Sequence, residues 1–279
     1  MPLERVSTIL RIAEKANTAV IGFNCLDYST IYSVIATAEE ARRPTICMLY
    51  PVHDNPYNFI SLNSFAAIVM DLAKNVSVPI GLHLDHSSDI DYIEQAVHCG
   101  FTSVMYDGSM LAYEENVRNT CRVVDICAPL GVDVEAELGY VGVAGANDYD
   151  KPELLTHPEE ASKFVSETRI DSLAIAIGNA HGAYYSLPNL DLARLDAINE
   201  ITSVPLVLHG GSGIPDDQLT EAFSRGINKF NVGTEYWHAW KESAAKHSTN
   251  PDIHPNEIAR LVQDDLKKYL HKKFQLTKL

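Results

Sequence analysis

Three histidines, His86, His181 and His209, come at the ends of the third, sixth and seventh apolar runs of the chain. Three imidazoles at one edge suit a catalytic zinc site, which has three protein ligands and a fourth position for water or substrate. A single histidine of this kind would more often be a structural or substrate-binding residue, but the three together favour a metal. His83 lies inside an apolar run, where a core or supporting role is expected.

Carboxylates accompany these histidines. Asp85 precedes His86 and can be a general acid/base or can orient a ligand histidine, and we favour the catalytic role. Glu135 and Glu137 share one face of a predicted strand, so that either of them could contact the metal or its water. Asp107 with Ser109 can bind substrate hydroxyls or cap the following helix.

Glycine-rich turns end the last two apolar runs, with "HGGSG" at 209–213 and "NVGT" at 231–234. Small residues there let backbone N–H groups converge on an anion, which predicts a phosphate site. Tight turns would explain the glycines alone, but not Ser212 and Thr234 as well.

No lysine is expected at the carboxyl end of a strand, where the polar residues gather. A Schiff-base enzyme needs a lysine there, whereas Lys229 is expected at the start of the last strand, at the opposite edge. A covalent imine mechanism is therefore disfavoured.

Eight short apolar runs alternate with helical patterns, which predicts a parallel sheet covered on both faces. In about this length they predict an α/β fold, a single (β/α)8 TIM barrel over residues 1–279, with a C-terminal helical tail at about 254–279. Polar residues, among them Asn24, gather at the C-terminal rim of the strands, where barrels of this type build active sites. The runs are 19–24, 44–50, 79–86, 103–109, 133–139, 172–178, 205–211 and 229–235.

Composition narrows the possible partners. The formal charge of −15 argues against nucleic acid, so an anionic substrate must rely on local donors. Five scattered cysteines with no C-x-x-C pair indicate a reducing cytoplasm. No run reaches the length of a membrane span, and the N-terminus reads as an amphipathic helix and not as a signal peptide.

The motifs "HLDH", "DGS", "EENVRNT", "VEAELG", "DSLAIAIGNAHG", "PLVLHGGSGIP" and "KFNVGTE" together resemble those of the class II, zinc-dependent ketose-bisphosphate aldolases, which act on fructose or tagatose bisphosphates. The resemblance implies that His86, His181 and His209 bind Zn²⁺, that Asp85 is the acid/base, and that Glu135 lies near the metal as a supporting or alternative ligand. The substrate contacts that it implies are Asn24, Asp107, Ser109, Gly182, Gly210, Gly211, Ser212, Asn231, Val232, Gly233 and Thr234.

The implied reaction splits a phosphorylated ketose into dihydroxyacetone phosphate and an aldehyde. Zinc would stabilise the charge of the enediolate, so no lysine is needed. Family members are usually homodimers or homotetramers, often with a monovalent cation such as Na⁺ or K⁺.

Departures from the family pattern bear on the substrate. Tyr50 replaces a small residue after the second strand, and Gly145 stands near the family's carbon base, for which Asp148 or Asp150 can substitute. Asn256 replaces an arginine that meets the second phosphate, a change that weakens such recognition by ~1.5–3 kcal/mol. A ketose 1-phosphate, or a sugar with another distal group, is thus as good a candidate as fructose 1,6-bisphosphate.

Two other functions fit the same residues. Another metal-dependent barrel enzyme, an epimerase or hydrolase, can use the three histidines. A non-catalytic sugar-phosphate sensor is compatible with the altered loop at Gly145.

Overall fold

The computed structural model describes residues 3–51, 60–144, 151–182, 184 and 188–279. Over these residues eight parallel strands close into a barrel, in the order β1-β10-β9-β7-β5-β4-β3-β2. The predicted (β/α)8 barrel is therefore confirmed. The strands are β1 (Val20–Asn24), β2 (Thr45–Leu49), β3 (Ile80–Ser87), β4 (Ser103–Tyr106), β5 (Asp133–Leu138), β6 (Gly142–Val143), β7 (Ser172–Ile175), β8 (Ala180–His181), β9 (Leu206–Leu208) and β10 (Ile227–Val232).

Helices follow the barrel strands and cover the outside of the sheet. Asp27 caps α2 and Asp89 caps α4 through side-chain oxygens that accept backbone N–H groups, while Pro158 opens α6. The helices are α1 (Val6–Lys15), α2 (Tyr28–Ala41), α3 (Leu62–Ala73), α4 (Ile90–His98), α5 (Tyr113–Cys127), α6 (Pro158–Thr168), α7 (Leu192–Ile201), α8 (Asp216–Ser224), α9 (Thr234–His247) and α10 (Pro255–Phe274).

Helix α1 lies across the amino end of the barrel. Its buried side chains Val6, Ile9 and Leu10 pack against Ile46 and Met48 of β2. The apolar face of the predicted N-terminal helix therefore closes the end of the barrel away from the polar rim.

The C-terminal helix α10 packs against α2 and α9 of the same chain. The apolar stripe of this helix is buried there, with Leu266, Leu270 and Phe274 at 3% exposure or less. The C-terminal helical tail therefore docks on the barrel of its own chain. Among the described residues, no helix is long and apolar enough to cross a membrane.

Two features differ from the sequence-based expectations. The two-residue strands β6 and β8 pair with each other beside the barrel, and they were not predicted. The placement of Lys229 at the start of the last strand is wrong, because β10 begins at Ile227 and the lysine side chain is fully buried inside the barrel.

Candidate active site

The imidazoles of His86, His181 and His209 meet at the carboxyl end of the barrel. Ring nitrogens of the three side chains lie within 4.8 Å of one another. His86 lies near the carboxyl end of β3, His181 lies in β8, and His209 follows β9. The barrel thus brings together three side chains that are far apart in the sequence.

An irregularity in β3 places two consecutive residues at this cluster. The pairing of β3 with β4 shifts between Leu84 and Ser87, and His86 has a φ of 48°, in the left-handed region. In a regular strand, neighbouring side chains point to opposite faces. The distortion lets both Asp85 and His86 line the same cavity.

The far nitrogens of two cluster histidines are held by carboxylates. His86 Nδ1 donates to Asp107 Oδ2 at 2.8 Å, and His209 Nε2 donates to Glu135 Oε1 at 2.9 Å. These bonds leave His86 Nε2 and His209 Nδ1 facing each other at 2.8 Å. Two acceptor nitrogens in contact require a cation or a proton between them, and three imidazoles fit zinc.

Glu135 lies on the side of His209 that faces away from the cluster, and it has a second partner. Its Oε2 is 2.7 Å from the Nζ of Lys229. Burial alone would raise the pKa of Glu135, but Lys229 and the bond from His209 hold it well below its ordinary value. The structure therefore favours a supporting position for Glu135 over that of a ligand.

Glu137, two residues further along β5, lies closer to the cluster. Its Oε2 is 3.5 Å from His209 Nδ1 and, within the described part of the chain, is buried with no hydrogen-bond donor. Burial, followed by the charge of Asp107, raises the pKa of Glu137 to about 8. Of the two glutamates on this strand face, Glu137 can reach a metal ion among the histidines.

Asp85 is a buried carboxylate between two amides. Asn24 Nδ2 donates to Oδ2 at 2.8 Å, and Asn231 Nδ2 donates to Oδ1 at 3.0 Å. Burial alone would raise the pKa of Asp85, but the neighbouring imidazoles and the Lys229 ammonium lower it below its ordinary value. An ionised, oriented carboxylate next to the cluster can accept a proton.

Asp107 and Ser109 do not cap the next helix. Helix α5 begins after Ala112 without a side-chain cap, while Asp107 Oδ1 accepts from the Ser109 hydroxyl at 2.7 Å. The capping alternative is therefore wrong, and Asp107 instead orients His86.

A cavity of about 940 Å³ opens above the cluster. Helix α9 begins at its edge, and its first backbone N–H groups, together with the glycine turns, can bind an anion. Of the predicted substrate contacts, Gly211 and Val232 are not among the described residues that line it. Those that do line it are Asn24, Asp107, Ser109, Gly182, Gly210, Ser212, Asn231, Gly233 and Thr234.

Gly211 has a packing role instead. A Cβ on this residue would lie 1.6 Å from the ring of Phe230, so only glycine fits there. The side chain of Val232 is fully buried in the main core.

Two aromatic residues that the sequence did not single out support the site. Trp237 Nε1 donates to the Asn24 carbonyl at 2.8 Å, and the Tyr184 hydroxyl donates to the Gly210 carbonyl at 2.9 Å. Both bonds join residues distant in the sequence, so no local motif could have indicated them.

The residues that depart from the family pattern fall in different places. Tyr50 lines the cavity, with its ring centroid 5.8 Å from that of His86. Asn256 is exposed in the first turn of α10 and is not among the described lining residues. Gly145, Asp148 and Asp150 lie outside the described residues.

Comparisons with known proteins agree with this geometry. The model of the family "Fructose-bisphosphate aldolase class-II" matches residues 4–279. The D-tagatose-1,6-bisphosphate aldolase subunit GatY of Klebsiella oxytoca is 41% identical over 246 residues, which cover 86% of this chain and 84% of that protein.

Solved structures show the same fold. The YdjI aldolase from Escherichia coli K12 superimposes with a TM-score of 0.88 at 33% identity, covering 99% of this chain and 97% of that one. A fructose-bisphosphate aldolase from Campylobacter jejuni, at 24% identity, supports the fold alone, with a TM-score of 0.78 over 97% of this chain and 93% of that one. The chain therefore belongs to the class II fructose-bisphosphate aldolase family and is an aldolase, a lyase of carbon–carbon bonds.

Proposed function

We propose that the protein is a zinc-dependent aldolase that reversibly cleaves a ketose 1-phosphate or ketose 1,6-bisphosphate into dihydroxyacetone phosphate and an aldehyde. The observation that carries this proposal is the cluster of three imidazoles directly beside the buried carboxylate of Asp85. The family match and the tagatose-bisphosphate aldolase relative support the same reaction class.

His86, His181 and His209 would hold the zinc ion. When bound, zinc supplies a Lewis acid that stabilises the negative charge that develops on the ketose oxygens as the bond breaks. Asp107 and Glu135 fix the ring orientation and tautomer of two ligands, so that a lone pair of each points into the site.

Asp85 would take the proton from the hydroxyl whose carbon becomes the aldehyde, and would return it in the condensation direction. The amides of Asn24 and Asn231 orient its two oxygens. The carbonyl oxygens of both amides are buried and meet no donor from the described chain, so they remain free to accept from substrate hydroxyls.

The phosphate of the dihydroxyacetone half would bind at the ends of β9 and β10. Gly210, Ser212, Gly233 and Thr234 line the cavity there, at the start of α9. Because this region is built from backbone N–H groups and hydroxyls, it recognises an anion in spite of the overall negative charge.

Substituting Asp85 by alanine tests the proposal. We expect D85A to retain zinc and to lose about 10²–10⁴-fold in turnover, since proton transfer and not metal binding is removed. Condensation of dihydroxyacetone phosphate with a panel of aldehydes, with and without a chelator, measures activity, and elemental analysis measures zinc. D71A, at an exposed site, is the matched control.

Other outcomes would identify the alternatives. Parallel loss of zinc in D85A would assign that residue to metal support. Release of inorganic phosphate, or inversion at one carbon without cleavage, would indicate a hydrolase or an epimerase. Binding of dihydroxyacetone phosphate without any exchange of its C–H proton in deuterated water would indicate a sensor.

We also propose a single-domain homodimer or homotetramer in the cytoplasm, assisted by Na⁺ or K⁺. The resemblance to the family supports the oligomer and the monovalent cation, and five free thiols support a reducing compartment. Light scattering, and activity in Na⁺, K⁺ and tetramethylammonium buffers, test these points.

A further inference from the structure

We infer that the enzyme selects ketose 1-phosphates whose far end is uncharged, and that Met110, Leu111 and Val143 determine this specificity. The inference rests on the proposed aldolase function. It concerns the wall of the cavity opposite the phosphate region, which the reaction itself does not specify.

The closed barrel fixes which walls face each other. In the strand order, β4 lies diametrically opposite β10, with the histidine cluster between them. A ketose whose C1 phosphate lies at the ends of β9 and β10 therefore directs its far end toward the segments that follow β3 and β4, and Val143, which follows the neighbouring β5, flanks that wall. Residues from those segments line the cavity.

This far wall is largely apolar. Met110 is 74% exposed, Val143 53% and Leu111 40%. Exposed apolar side chains grouped at the mouth of a polar cavity are typical of a ligand contact. Neutral polar groups lie among them, such as the Tyr106 hydroxyl, which accepts from Asn119 Nδ2 at 2.9 Å.

The described wall of the cavity offers no lysine or arginine for a second phosphate. The described lining residues include no lysine or arginine, and the segments 52–59, 145–150, 183 and 185–187 contain none in their sequence. Lys229 is fully buried against Glu135, and the exposed Arg118 on α5 is 3.6 Å from the Glu115 carboxylate. Phosphate recognition normally uses such side chains.

Carboxylates add repulsion. Asp85, Asp107 and Glu115 line the cavity. A phosphate monoester brings nearly two further negative charges, which these carboxylates would repel, whereas a hydroxyl or methyl group would not meet that penalty.

Matched aldehydes test the inference. With the zinc-loaded enzyme and dihydroxyacetone phosphate, we expect kcat/KM for glyceraldehyde and lactaldehyde to exceed that for glyceraldehyde 3-phosphate by at least about tenfold. A preference for the phosphorylated aldehyde would overturn the inference and leave the aldolase assignment standing. Failure to condense any aldehyde would overturn both.

A charge added to the far wall gives the second test. M110K/V143K is expected to raise kcat/KM for glyceraldehyde 3-phosphate relative to lactaldehyde by about fivefold or more, since it supplies the missing cations. L130K makes the same kind of change at an exposed leucine before β5, at the other end of the barrel, and is expected to leave the ratio unchanged. An unchanged ratio in a folded M110K/V143K would overturn the role of this wall.

Discussion

Lys229 lies inside the barrel, below the histidine cluster, where its ammonium contacts two side chains from other strands. Nζ is 2.7 Å from Glu135 Oε2 and 3.4 Å from His83 Nε2. The bond that His209 Nε2 donates to Glu135 continues this chain of contacts to the proposed metal site. Lys229 therefore acts on the site by positioning, and its ion pair keeps it from serving as a free amine nucleophile.

Replacing Lys229 by methionine tests this positioning role. K229M leaves the Glu135 carboxylate buried without its cation, so we expect a loss of about 3–5 kcal/mol in the free energy of unfolding. We also expect zinc affinity to fall about 10–100-fold, because Glu135 no longer fixes the His209 ring. Urea unfolding in the presence of a chelator and competition with a zinc indicator dye measure the two effects.

The control is K74M, which removes an exposed lysine 3.6 Å from Asp71. It is expected to change stability by about 1 kcal/mol or less and to leave zinc affinity unchanged. If K229M bound zinc as tightly as the unmodified protein, the chain from Lys229 to His209 would have no functional role.

At the scale of single residues, the sequence predicted which residues lie near the site better than it predicted the contacts that they make. The histidines, Asp85 and the two strand glutamates could be found because they are ionisable residues in, or shortly after, apolar runs. The position of Lys229 could not, because its partner Glu135 lies 94 residues away and a lone lysine in a strand normally indicates exposure. The distortion at His86, which turns Asp85 and His86 toward one cavity, likewise depends on the pairing with β4.

At the scale of elements, α9 and α10 are joined by one carboxylate. Asp265 on α10 accepts from Lys246 Nζ at 3.0 Å and from His247 Nε2 at 2.9 Å on α9, and from Lys268 Nζ at 2.9 Å on its own helix. The hydrogen bonds from Lys268, His247 and Lys246 hold the pKa of Asp265 below its ordinary value. This contact reinforces the apolar packing of α10.

The direction of that pKa shift predicts a pH dependence. A carboxylate whose pKa is lower in the folded state stabilises the fold above its unfolded pKa, near 4, and this contribution is lost as the pH falls toward the folded value. D265N is therefore expected to cost about 1 kcal/mol at pH 7 and progressively less below about pH 4. Urea unfolding from pH 7 to pH 3 measures the difference.

The exposed Asp252 provides the control, since D252N removes a carboxylate that lies outside this cluster. A loss in D265N that stayed constant over the whole pH range would show that Asp265 contributes through packing and not through charge.

Elements with a strong hydrophobic period were predictable, and short ones were not. All eight barrel strands were found, although the apolar runs extend beyond the paired residues at several carboxyl ends. The pair β6–β8 has two residues per strand, too few to show any period. The tail helix was predicted, but its partner was not, because an apolar stripe does not specify what covers it.

At the scale of the whole molecule, folding and metal binding are linked. The three proposed zinc ligands come from β3, β8 and the end of β9, so an unfolded chain cannot present them together. A ligand that binds only the folded state stabilises it by an amount that depends on the ratio of its free concentration to its dissociation constant.

Zinc is therefore expected to raise the unfolding temperature. At a free concentration about 100-fold above its dissociation constant, the gain is about 2.7 kcal/mol, or roughly 4–6 °C for a chain of this size. Calorimetry with zinc and with a chelator measures the shift. H209A should abolish it, whereas H98A, at an exposed histidine, should retain it. A shift of equal size in H209A would mean that zinc stabilises the protein elsewhere.

Sequence alone predicted the whole architecture because the alternation of apolar runs with helical patterns leaves few other topologies. The same reasoning placed the site at the correct end of the barrel. The apolar character of the far wall could not be predicted, since Met110 and Val143 follow different strands and line one cavity only after the barrel closes.

Helix α1 closes the barrel at its amino end, and the cavity of the site opens at the carboxyl end. In the proposed reaction, the ketose enters and both products leave at the carboxyl end of the barrel. Exchanging the loops at the carboxyl end can change the sugar preference without altering the packing of α1. Improving the packing of α1 can raise the thermal stability without altering the residues of the site. A protein engineer can thus work on the two ends independently.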